Sequence, residues 1–373
     1  MQLLAEARQL EAQGRDIVHL EIGEPDFPTP QPIVDAGMAA LQAGKHHYTP
    51  AVGLSALREA IAAHYQRETG HALPSERIVI APGSSGALLL TLGVLLDAGD
   101  GLLLTDPGYP CNRNFARFLN VEVQSLAVDA VNDFIPTPEQ VRAAWQSNTR
   151  VLMLASPANP TGMVIPQAQL KALHQTVRAL GGHLLVDEIY RGLVYEQDDS
   201  ATAVALDESI WVINSFSKFY GMTGWRVGWV VAPRDAVDAL DRLAQNLFLA
   251  ASTPAQYAAL AAFQSDTQDI LEQRRRVFQQ RRDLLLPELR ALGFEIAQAP
   301  QGAFYLYADA SRFTDHSEAW SREILEQAGV AITPGADFGS YHASTHVRFA
   351  YTIDATRIEE GLKRLRDYLA AGS

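Results

Sequence analysis

Up to about residue 235 the chain alternates short apolar runs with longer segments of helical pattern. Most of the apolar runs are continuous, which is typical of strands covered by helices on both faces. Seven runs predict strands: Ile78–Ala81, Leu102–Thr105, Val121–Leu126, Val151–Ala155, Leu184–Val186, Trp211–Asn214 and Val227–Ala232. Three segments predict crossover helices: Ser84–Leu96, Glu139–Trp145 and Gln167–Leu180. This alternation predicts an α/β fold with a mostly parallel, seven-stranded sheet.

After residue 235 the pattern changes. Two long helices are predicted over Ala236–Ala262 and Ile270–Leu292, followed by a smaller α/β piece with GAFYLYAD and HVRFAYT as strands. The last helix is predicted over Thr356–Ala371, and the first 30 residues are predicted to be an arm packed on this piece. We expect two domains, a large one over 31–235 and a small one built from 1–30 and 236–373, with an approximate boundary.

Polar clusters follow five of the predicted strands. In open α/β sheets, ligands bind beyond the carboxyl ends of the strands. The clusters are GSSG at 83–86, DPGY at 106–109, SPANPTG at 156–162, DEIY at 187–190 and SFSK at 215–218. Their convergence predicts a ligand site at one edge of the sheet.

Composition narrows the kinds of partner that the protein can have. The chain has 30 basic and 43 acidic residues and a formal net charge of −13, which argues against a surface for nucleic acid or anionic lipid. The single cysteine, Cys111, excludes an internal disulfide and a multi-thiolate metal site. His342 and His346 lack a third ligand in sequence, so we interpret them as surface histidines and predict no metal. No signal pattern or bilayer-length apolar stretch is present, and a soluble, cytoplasmic protein is predicted.

Lys218 and Asp187 are the candidates for chemistry. Lys218 lies among aromatic residues just past a strand, where a lowered pKa would let its amine form a Schiff base. The alternative is a loop lysine that reaches solvent. Asp187 ends a strand and would have a partly buried carboxylate that needs a cationic partner, unless it is a turn or N-cap aspartate. Tyr190, three residues later, would face the same cleft.

The remaining candidates would bind anions or orient a flat ligand. APGSSGALLL places small residues and free N–H groups at a helix start, which suits an anion, although Ser84 or Ser85 could simply cap the helix. Its spacing matches neither the dinucleotide nor the P-loop motif. Ser215 and Arg226 would complete a phosphate site. Three further residues each have two possible roles. Asn159 lies in a cleft or in a plain Asn-Pro turn, and Tyr109 stacks on a flat ring or fills a loop core. Arg348 binds a substrate carboxylate or pairs with an internal Asp or Glu.

Ten segments together resemble the class I/II aminotransferases, the fold-type I enzymes that depend on pyridoxal 5′-phosphate (PLP). The resemblance covers almost the whole chain in family order: IGEPDFPTP, YTPAVGLSALREAIA, APGSSGAL, DPGYP, SPANPTG, VDEIY, SFSKFYGMTGWRVGW, QGAFYLY, TPGADFG and VRFAY. It implies a large domain with a mostly parallel seven-stranded sheet and a small α/β domain. It also implies that an amino group moves from an amino acid to a 2-oxo acid by a ping-pong mechanism.

The resemblance implies a role for each site residue. Lys218 would form the Schiff base with PLP, Asp187 would pair with the pyridine N–H, and Tyr109 would stack on the ring. Tyr190 and Asn159 would bond the 3′-oxygen. Arg348 would bind the substrate α-carboxylate, with Gly23 and Asn159 beside it. The phosphate would be held by Gly83, Ser84, Ser85, Ser215, Ser217 and Arg226, and by Tyr48 of a neighbouring subunit, which makes a homodimer the expected unit.

The resemblance leaves the substrate open. No arginine is assigned to a dicarboxylate side chain, and Glu24, Tyr109, Phe304 and the loop near Phe338 are expected to shape the side-chain pocket. The chain begins close to IGEPDF, so we expect a shorter N-terminal arm than is usual in the family. One alternative is a PLP-dependent carbon–sulfur β-lyase of the same fold. Another is a PLP-sensing transcription regulator, which is disfavoured by the acidic charge and the missing basic winged-helix segment.

Overall fold

A computed structural model describes residues 2–195 and 202–371 of the chain. The strands are β1 (Val18–His19), β2 (Ile78–Ala81), β3 (Gly101–Asp106), β4 (Glu122–Ala127), β5 (Thr149–Ala155), β6 (His183–Asp187), β7 (Trp211–Ser215), β8 (Gly228–Val231), β9 (Tyr305–Asp309), β10 (Val330–Ala331), β11 (Thr333–Pro334) and β12 (His346–Ala350). The helices are α1 (Gln2–Ala12), α2 (Gln31–Gln42), α3 (Ser55–Thr69), α4 (Gly83–Leu95), α5 (Pro110–Phe118), α6 (Pro138–Ala144), α7 (Gln167–Ala179), α8 (Val237–Leu247), α9 (Thr253–Leu260), α10 (Ser265–Leu292), α11 (Ser317–Ala328) and α12 (Ala355–Ala371). None of the described helices is long and apolar enough to cross a membrane.

The main sheet confirms the predicted fold class. Its seven strands lie in the order β2-β8-β7-β6-β5-β3-β4. Only β8 runs antiparallel to its neighbours, β2 and β7, and the other adjacent pairs are parallel. The five strands that precede the polar clusters therefore run in one direction, and their carboxyl ends meet at one edge of the sheet.

Helices cover both faces of this sheet, which explains the continuous apolar runs. Alternate residues of each strand enter different cores, as the pleat requires. Val79, Met153 and Ile213 pack with α4 and α8 on one face. Their neighbours Ile80, Leu152 and Val212 belong to the core on the other face, which also contains residues of α2, α3, α7 and α9. A strand buried on both faces has no polar side to show in the sequence.

The chain ends come together in a second core. β1 pairs in parallel with β10, and β11, β12 and β9 form a small antiparallel sheet. Residues of β1, α10, α11 and α12 pack around that sheet in one hydrophobic cluster. Helix α8 contacts α4 and β2, and helix α9 contacts α2 and α3. Both helices therefore pack on elements of the main sheet and its covering helices. The predicted domain boundary near residue 236 stays a prediction.

One predicted long helix is wrong, because the structure has two shorter helices in its place. The segment Ala236–Ala262 contains two helices, α8 and α9, with an irregular stretch over 248–252. Pro254 lies in the first turn of α9. Proline has no N–H to donate to a preceding turn, so it begins a helix more readily than it continues one. Leu249 has φ 61°, in the left-handed region, which also ends the run of helical residues.

His19 in β1 makes the stability of the small sheet depend on pH. Its ring nitrogens lie 2.7 Å from Glu21 Oε1 and 3.1 Å from Glu11 Oε1. The Glu21 carboxylate, opposed by burial, raises the pKa of His19 to about 9. Because the folded pKa lies above the unfolded value, the stabilisation is complete below pH 6.5 and is lost as the pH rises through 9.

We expect the free energy of unfolding to fall by about 1–2 kcal/mol between pH 6 and pH 9.5 through this group, less than the full linkage value because part of the network is exposed. Denaturant titrations of the wild type and of His19→Gln at both pH values measure the effect. The pH-dependent loss should be smaller in the variant. An equal loss in both proteins would contradict the assignment.

Candidate active site

Lys218 lies in the loop after β7, at the edge where the polar clusters meet. Its side chain is half-buried, and Nζ donates a hydrogen bond of 2.7 Å to the Gly23 carbonyl oxygen. Burial is the main cause that lowers the pKa of Lys218 to about 8, with Arg348 and Arg226 acting in the same direction. Glu24 and Asp187 oppose the shift. Lys218 is therefore not a solvated loop lysine, and part of its population carries a nucleophilic, neutral amine near neutral pH.

Asp187, the last residue of β6, is buried. Its Oδ1 accepts the Ile189 N–H at 3.0 Å, the bond expected of a turn aspartate. Burial raises the pKa of Asp187 to about 7, and the neighbouring Glu188 adds to the rise. Among the described residues no Lys, Arg or His lies within ion-pair distance of the carboxylate. A cationic ligand group would supply the partner that this buried carboxylate lacks.

Two tyrosines meet next to Lys218. The Tyr190 and Tyr305 hydroxyl oxygens lie 2.9 Å apart, and both side chains are buried. Tyr305, in β9, packs its hydroxyl so closely on Gly23 that a side chain at position 23 would overlap it. The segment around Gly23 thus contacts Tyr305 on one side and Lys218 on the other.

Arg348 is a buried cation without an acidic partner among the described residues. NH1 donates to Asn159 Oδ1 at 2.9 Å, and NH2 donates to the Glu21 carbonyl oxygen at 2.6 Å and to Thr333 Oγ1 at 3.2 Å. Its Nε is buried and has no hydrogen-bond partner in the described part of the chain. All three acceptors are neutral, so the alternative of an internal Asp or Glu does not hold. The positive charge remains for a ligand carboxylate.

The guanidinium of Arg348 is held between two aromatic rings. Its Cζ lies 4.2 Å from the centre of the Tyr305 ring and 4.8 Å from that of Phe338. The loop that carries Phe338 is fixed by Asp106 at the end of β3, which accepts bonds from the Ser340 N–H and hydroxyl and from the Tyr341 N–H. A side chain at Gly339 would overlap Asp106. The large sheet therefore fixes the loop that covers Arg348.

Small and hydroxyl-bearing residues surround Arg226 at the other end of the site. α4 begins at Gly83, and no side chain caps its first N–H groups, so Ser84 and Ser85 are not N-caps. Gly83 lies against the Arg226 guanidinium and has room for no side chain. Arg226 NH1 lies 3.5 Å from Ser217 Oγ, which is bonded to Ser215 Oγ at 2.9 Å. A guanidinium, hydroxyls and an uncapped helix start suit a phosphate group.

Tyr109 lies at the start of α5 and is 40% exposed. It lines a cavity of about 350 Å³ together with Asp106, Asn112, Asn159 and Phe338. Lys218 and Asp187 are not among the residues that line this cavity. The cavity therefore lies beside the lysine site and shares Tyr109, Asn159 and Phe338 with the residues around it.

The remaining candidates are Tyr48, Cys111 and two histidines. Tyr48, between α2 and α3, is 80% exposed. Cys111 is half-buried, and its side chain contacts that of Tyr109. His342 is exposed, whereas His346 is half-buried and stacks on Tyr307, so only the first is a surface histidine. The described residues contain no cluster of His, Cys, Asp and Glu that could hold a metal.

Sequence reasoning missed Tyr305 and the backbone acceptors of Arg348. QGAFYLY was noted as a motif, but a strand with aromatic residues on both faces does not show which one reaches the site. The Glu21 carbonyl carries no signal in the side-chain pattern. It lies 327 residues from Arg348 in the chain.

Taken together, the donor set fits PLP. The uncapped helix start with Arg226 suits its phosphate, the unpaired Asp187 suits its protonated pyridine nitrogen, and the amine of Lys218 suits its aldehyde. Such a site defines a PLP-dependent enzyme of fold-type I.

Comparison with known proteins identifies the family. The model of the family described as aminotransferase class I and II matches residues 15–365. A valine–pyruvate aminotransferase from Mycobacterium tuberculosis is 38% identical, covering 98% of this chain and 94% of its own length. A (5-formylfuran-3-yl)methyl phosphate transaminase from Methanocaldococcus jannaschii is 37% identical, covering 99% and 96%. The crystal structure of an aminotransferase from M. tuberculosis superposes with a TM-score of 0.96 at 37% identity, covering 100% and 96%.

The chain belongs to the class I and II aminotransferases, and the protein is a PLP-dependent transferase that uses amino acids as substrates. The predicted family, fold, activity and cofactor are confirmed. Nothing in the comparisons favours the carbon–sulfur β-lyase alternative.

Proposed function

We propose that Lys218 is the residue that binds PLP covalently and that also moves the proton in transamination. Bound PLP supplies an aldehyde that captures amines and a protonated ring that accepts electrons from the substrate Cα. The neutral amine of Lys218 is the nucleophile towards that aldehyde. When the substrate amine occupies the aldehyde carbon, the Lys218 amine is free to act as a general base that takes the proton from the substrate Cα. The low pKa of Lys218 supports both roles.

The other residues hold the reactants in place. Asp187 would keep the pyridine nitrogen protonated, Tyr190 and Asn159 would bond the 3′-oxygen, and Tyr109 would lie against the ring. Arg348 would bind the α-carboxylate through its unpaired charge, with Gly23 and Asn159 beside it. The phosphate would be bound by Gly83, Ser84, Ser85, Ser215, Ser217 and Arg226.

We propose that the protein acts as a cytoplasmic homodimer. Tyr48 is large, aromatic and 80% exposed, which supports a role towards the phosphate of a partner subunit rather than its own. Sedimentation of the wild type and of Tyr48→Phe, together with PLP affinity, tests this. A monomer with full activity would exclude it.

We propose that the amino donors have side chains without a carboxylate group. Of the two cations that lower the pKa of Lys218, Arg226 is proposed for the phosphate and Arg348 for the α-carboxylate. Glu24 also acts on the Lys218 amine, and its negative charge would repel a second substrate carboxylate. The observation that carries this proposal is the negative charge of Glu24 beside the Lys218 amine. A panel of amino acids mixed with the holoenzyme in single turnover tests it, with loss of the visible absorption band as the readout. Faster reaction with aspartate than with alanine or valine would exclude the proposal.

Arg348→Ala is expected to lower kcat/KM for an amino acid by about 10²–10³-fold, because the substrate carboxylate loses a buried charge partner. The control is the amine that has the same side chain but no carboxylate. Its slow reaction should be nearly equal in the variant and the wild type. Equal losses for both substrates would show that Arg348 acts on folding and not on the carboxylate.

Glu24→Gln is expected to raise kcat/KM for aspartate relative to alanine by about fivefold, since it removes a repulsion between partly exposed charges of about 1 kcal/mol. Glu326→Gln, an exposed glutamate in α11, is the matched control and should leave the ratio unchanged. An unchanged ratio in Glu24→Gln would exclude Glu24 as a specificity residue.

A further inference from the structure

Tyr305 contacts three parts of the proposed site although it has no assigned role. Its hydroxyl is 2.9 Å from that of Tyr190, and its ring lies under the Arg348 guanidinium at 4.2 Å. The hydroxyl also packs on Gly23, whose carbonyl oxygen accepts a hydrogen bond from the Lys218 amine. Only 1% of the Tyr305 surface is exposed. The side chain is thus fixed from several sides.

The two hydroxyls share one hydrogen bond, and a ligand oxygen that accepts the Tyr190 proton sets its direction. Burial raises the pKa of both tyrosines, so each keeps its proton at neutral pH. Only one of those protons can lie between the two oxygens. Among the described residues, the Tyr305 hydroxyl has only Tyr190 as a hydrogen-bond partner. If Tyr190 donated to Tyr305, the Tyr305 proton would be buried without an acceptor, which costs about 1–3 kcal/mol.

We propose that Tyr305 is a positioning residue whose hydroxyl donates to the Tyr190 oxygen and thereby directs the Tyr190 proton at the cofactor 3′-oxygen. The proposal rests on the proposed function, in which Tyr190 bonds that oxygen. A hydroxyl that accepts a hydrogen bond becomes a stronger donor, because hydrogen bonds in a chain polarise one another. Tyr305 therefore stabilises negative charge on the 3′-oxygen without contacting it.

Two other charged or titratable groups act on the tyrosine pair, Arg348 in β12 and Tyr109 at the start of α5. Asp187 at the end of β6 and Lys218 after β7 belong to the same proposed site. All of them are present in both the wild type and a Tyr305→Phe variant. The difference between these two proteins consequently reports on the hydroxyl of Tyr305.

The test is the pKa read from the visible absorbance of the holoenzyme during a pH titration. In Tyr305→Phe the negative charge of the cofactor 3′-oxygen is less stabilised, so the proton that titrates in the visible spectrum is lost at a higher pH. We expect the spectral pKa to rise by about half a unit, as for the loss of one neutral hydrogen bond, and to rise more in Tyr190→Phe. Tyr351→Phe is the matched control, because it removes another buried hydroxyl of the same core, one that is bonded to Tyr195 at 3.3 Å. Its spectral pKa should equal that of the wild type.

A double variant shows whether Tyr305 acts through Tyr190. If it does, adding Tyr305→Phe to Tyr190→Phe shifts the spectral pKa no further. Equal spectral pKa values in the wild type, Tyr305→Phe and Tyr351→Phe would overturn the role of Tyr305 and leave the proposed function intact. Fully additive shifts of the spectral pKa in the double variant would do the same. A visible absorption band that survives in the Lys218→Ala variant would overturn the site assignment and this proposal with it.

Discussion

Replacing Lys218 with alanine is expected to lower kcat for transamination by about 10⁴-fold or more. The amine has two proposed tasks, attack on the cofactor aldehyde and proton transfer at the substrate Cα, and proton transfer by a placed side chain alone contributes up to about 10⁴-fold. The structure provides no second amine within hydrogen-bond distance of the Gly23 carbonyl, among the described residues, that could replace it. Single-turnover conversion of an amino acid, with PLP present at saturation, measures the loss.

Two further variants separate charge from chemistry at this position. Lys218→Arg keeps the positive charge but has no neutral amine, so it should be as inactive as the alanine variant. Lys171→Ala removes an exposed lysine of α7 and should behave like the wild type. Wild-type turnover in Lys218→Ala would exclude Lys218 as the catalytic amine.

Asp187→Asn is expected to lower kcat by about 10³-fold with little change in KM. A buried cation that loses its charge partner costs about 3–5 kcal/mol, and here the cation would be the protonated pyridine nitrogen that accepts electrons from the substrate. Arg348 is not among the groups that act on the Asp187 carboxylate, so binding of the amino acid should be preserved. Steady-state kinetics with one amino acid give both constants.

Glu188→Gln is the control for this experiment. Glu188 is also a buried carboxylate, but it accepts bonds from the Thr202 hydroxyl and the Ala203 N–H. Its substitution should lower the midpoint of thermal unfolding and leave kcat within a few-fold of the wild type. Equal losses of kcat in both variants would indicate a general structural effect of the β6 terminus and would exclude the specific role of Asp187.

The sheet could be predicted from sequence because most of its strands are buried on both faces. Runs such as Leu184–Val186 have no polar interruption, and the observed strand extends the run by one residue at each end. The break before α9 could not be predicted from the apolar pattern, since the periodicity continues on both sides of it. Pro254 was the available signal, and a proline in the first turn of a helix is easily taken for one inside it.

Candidate site residues could be chosen from the sequence where the expected chemistry depends on side chains. Arg348 could be placed at the site because an arginine in an apolar strand must find an anion, but the sequence offered internal acids as equal partners. Only the fold shows that its acceptors are the amide of Asn159, the hydroxyl of Thr333 and a carbonyl oxygen. The role of Tyr305 depends on which hydroxyl faces which, and sequence spacing contains no such information.

Because the two chain ends pair with each other, part of the second core can form only late in synthesis. The hydrogen bond between the Glu21 carbonyl and Arg348 cannot form until Arg348, 327 residues later, has been synthesised. At about 5–20 residues per second, that interval is roughly 15–65 s. During this time the main sheet can assemble, while β1 has no strand partner and the proposed carboxylate site at Arg348 is not yet formed. A ribosome-bound chain should therefore be able to acquire its cofactor pocket before it can recognise an amino acid.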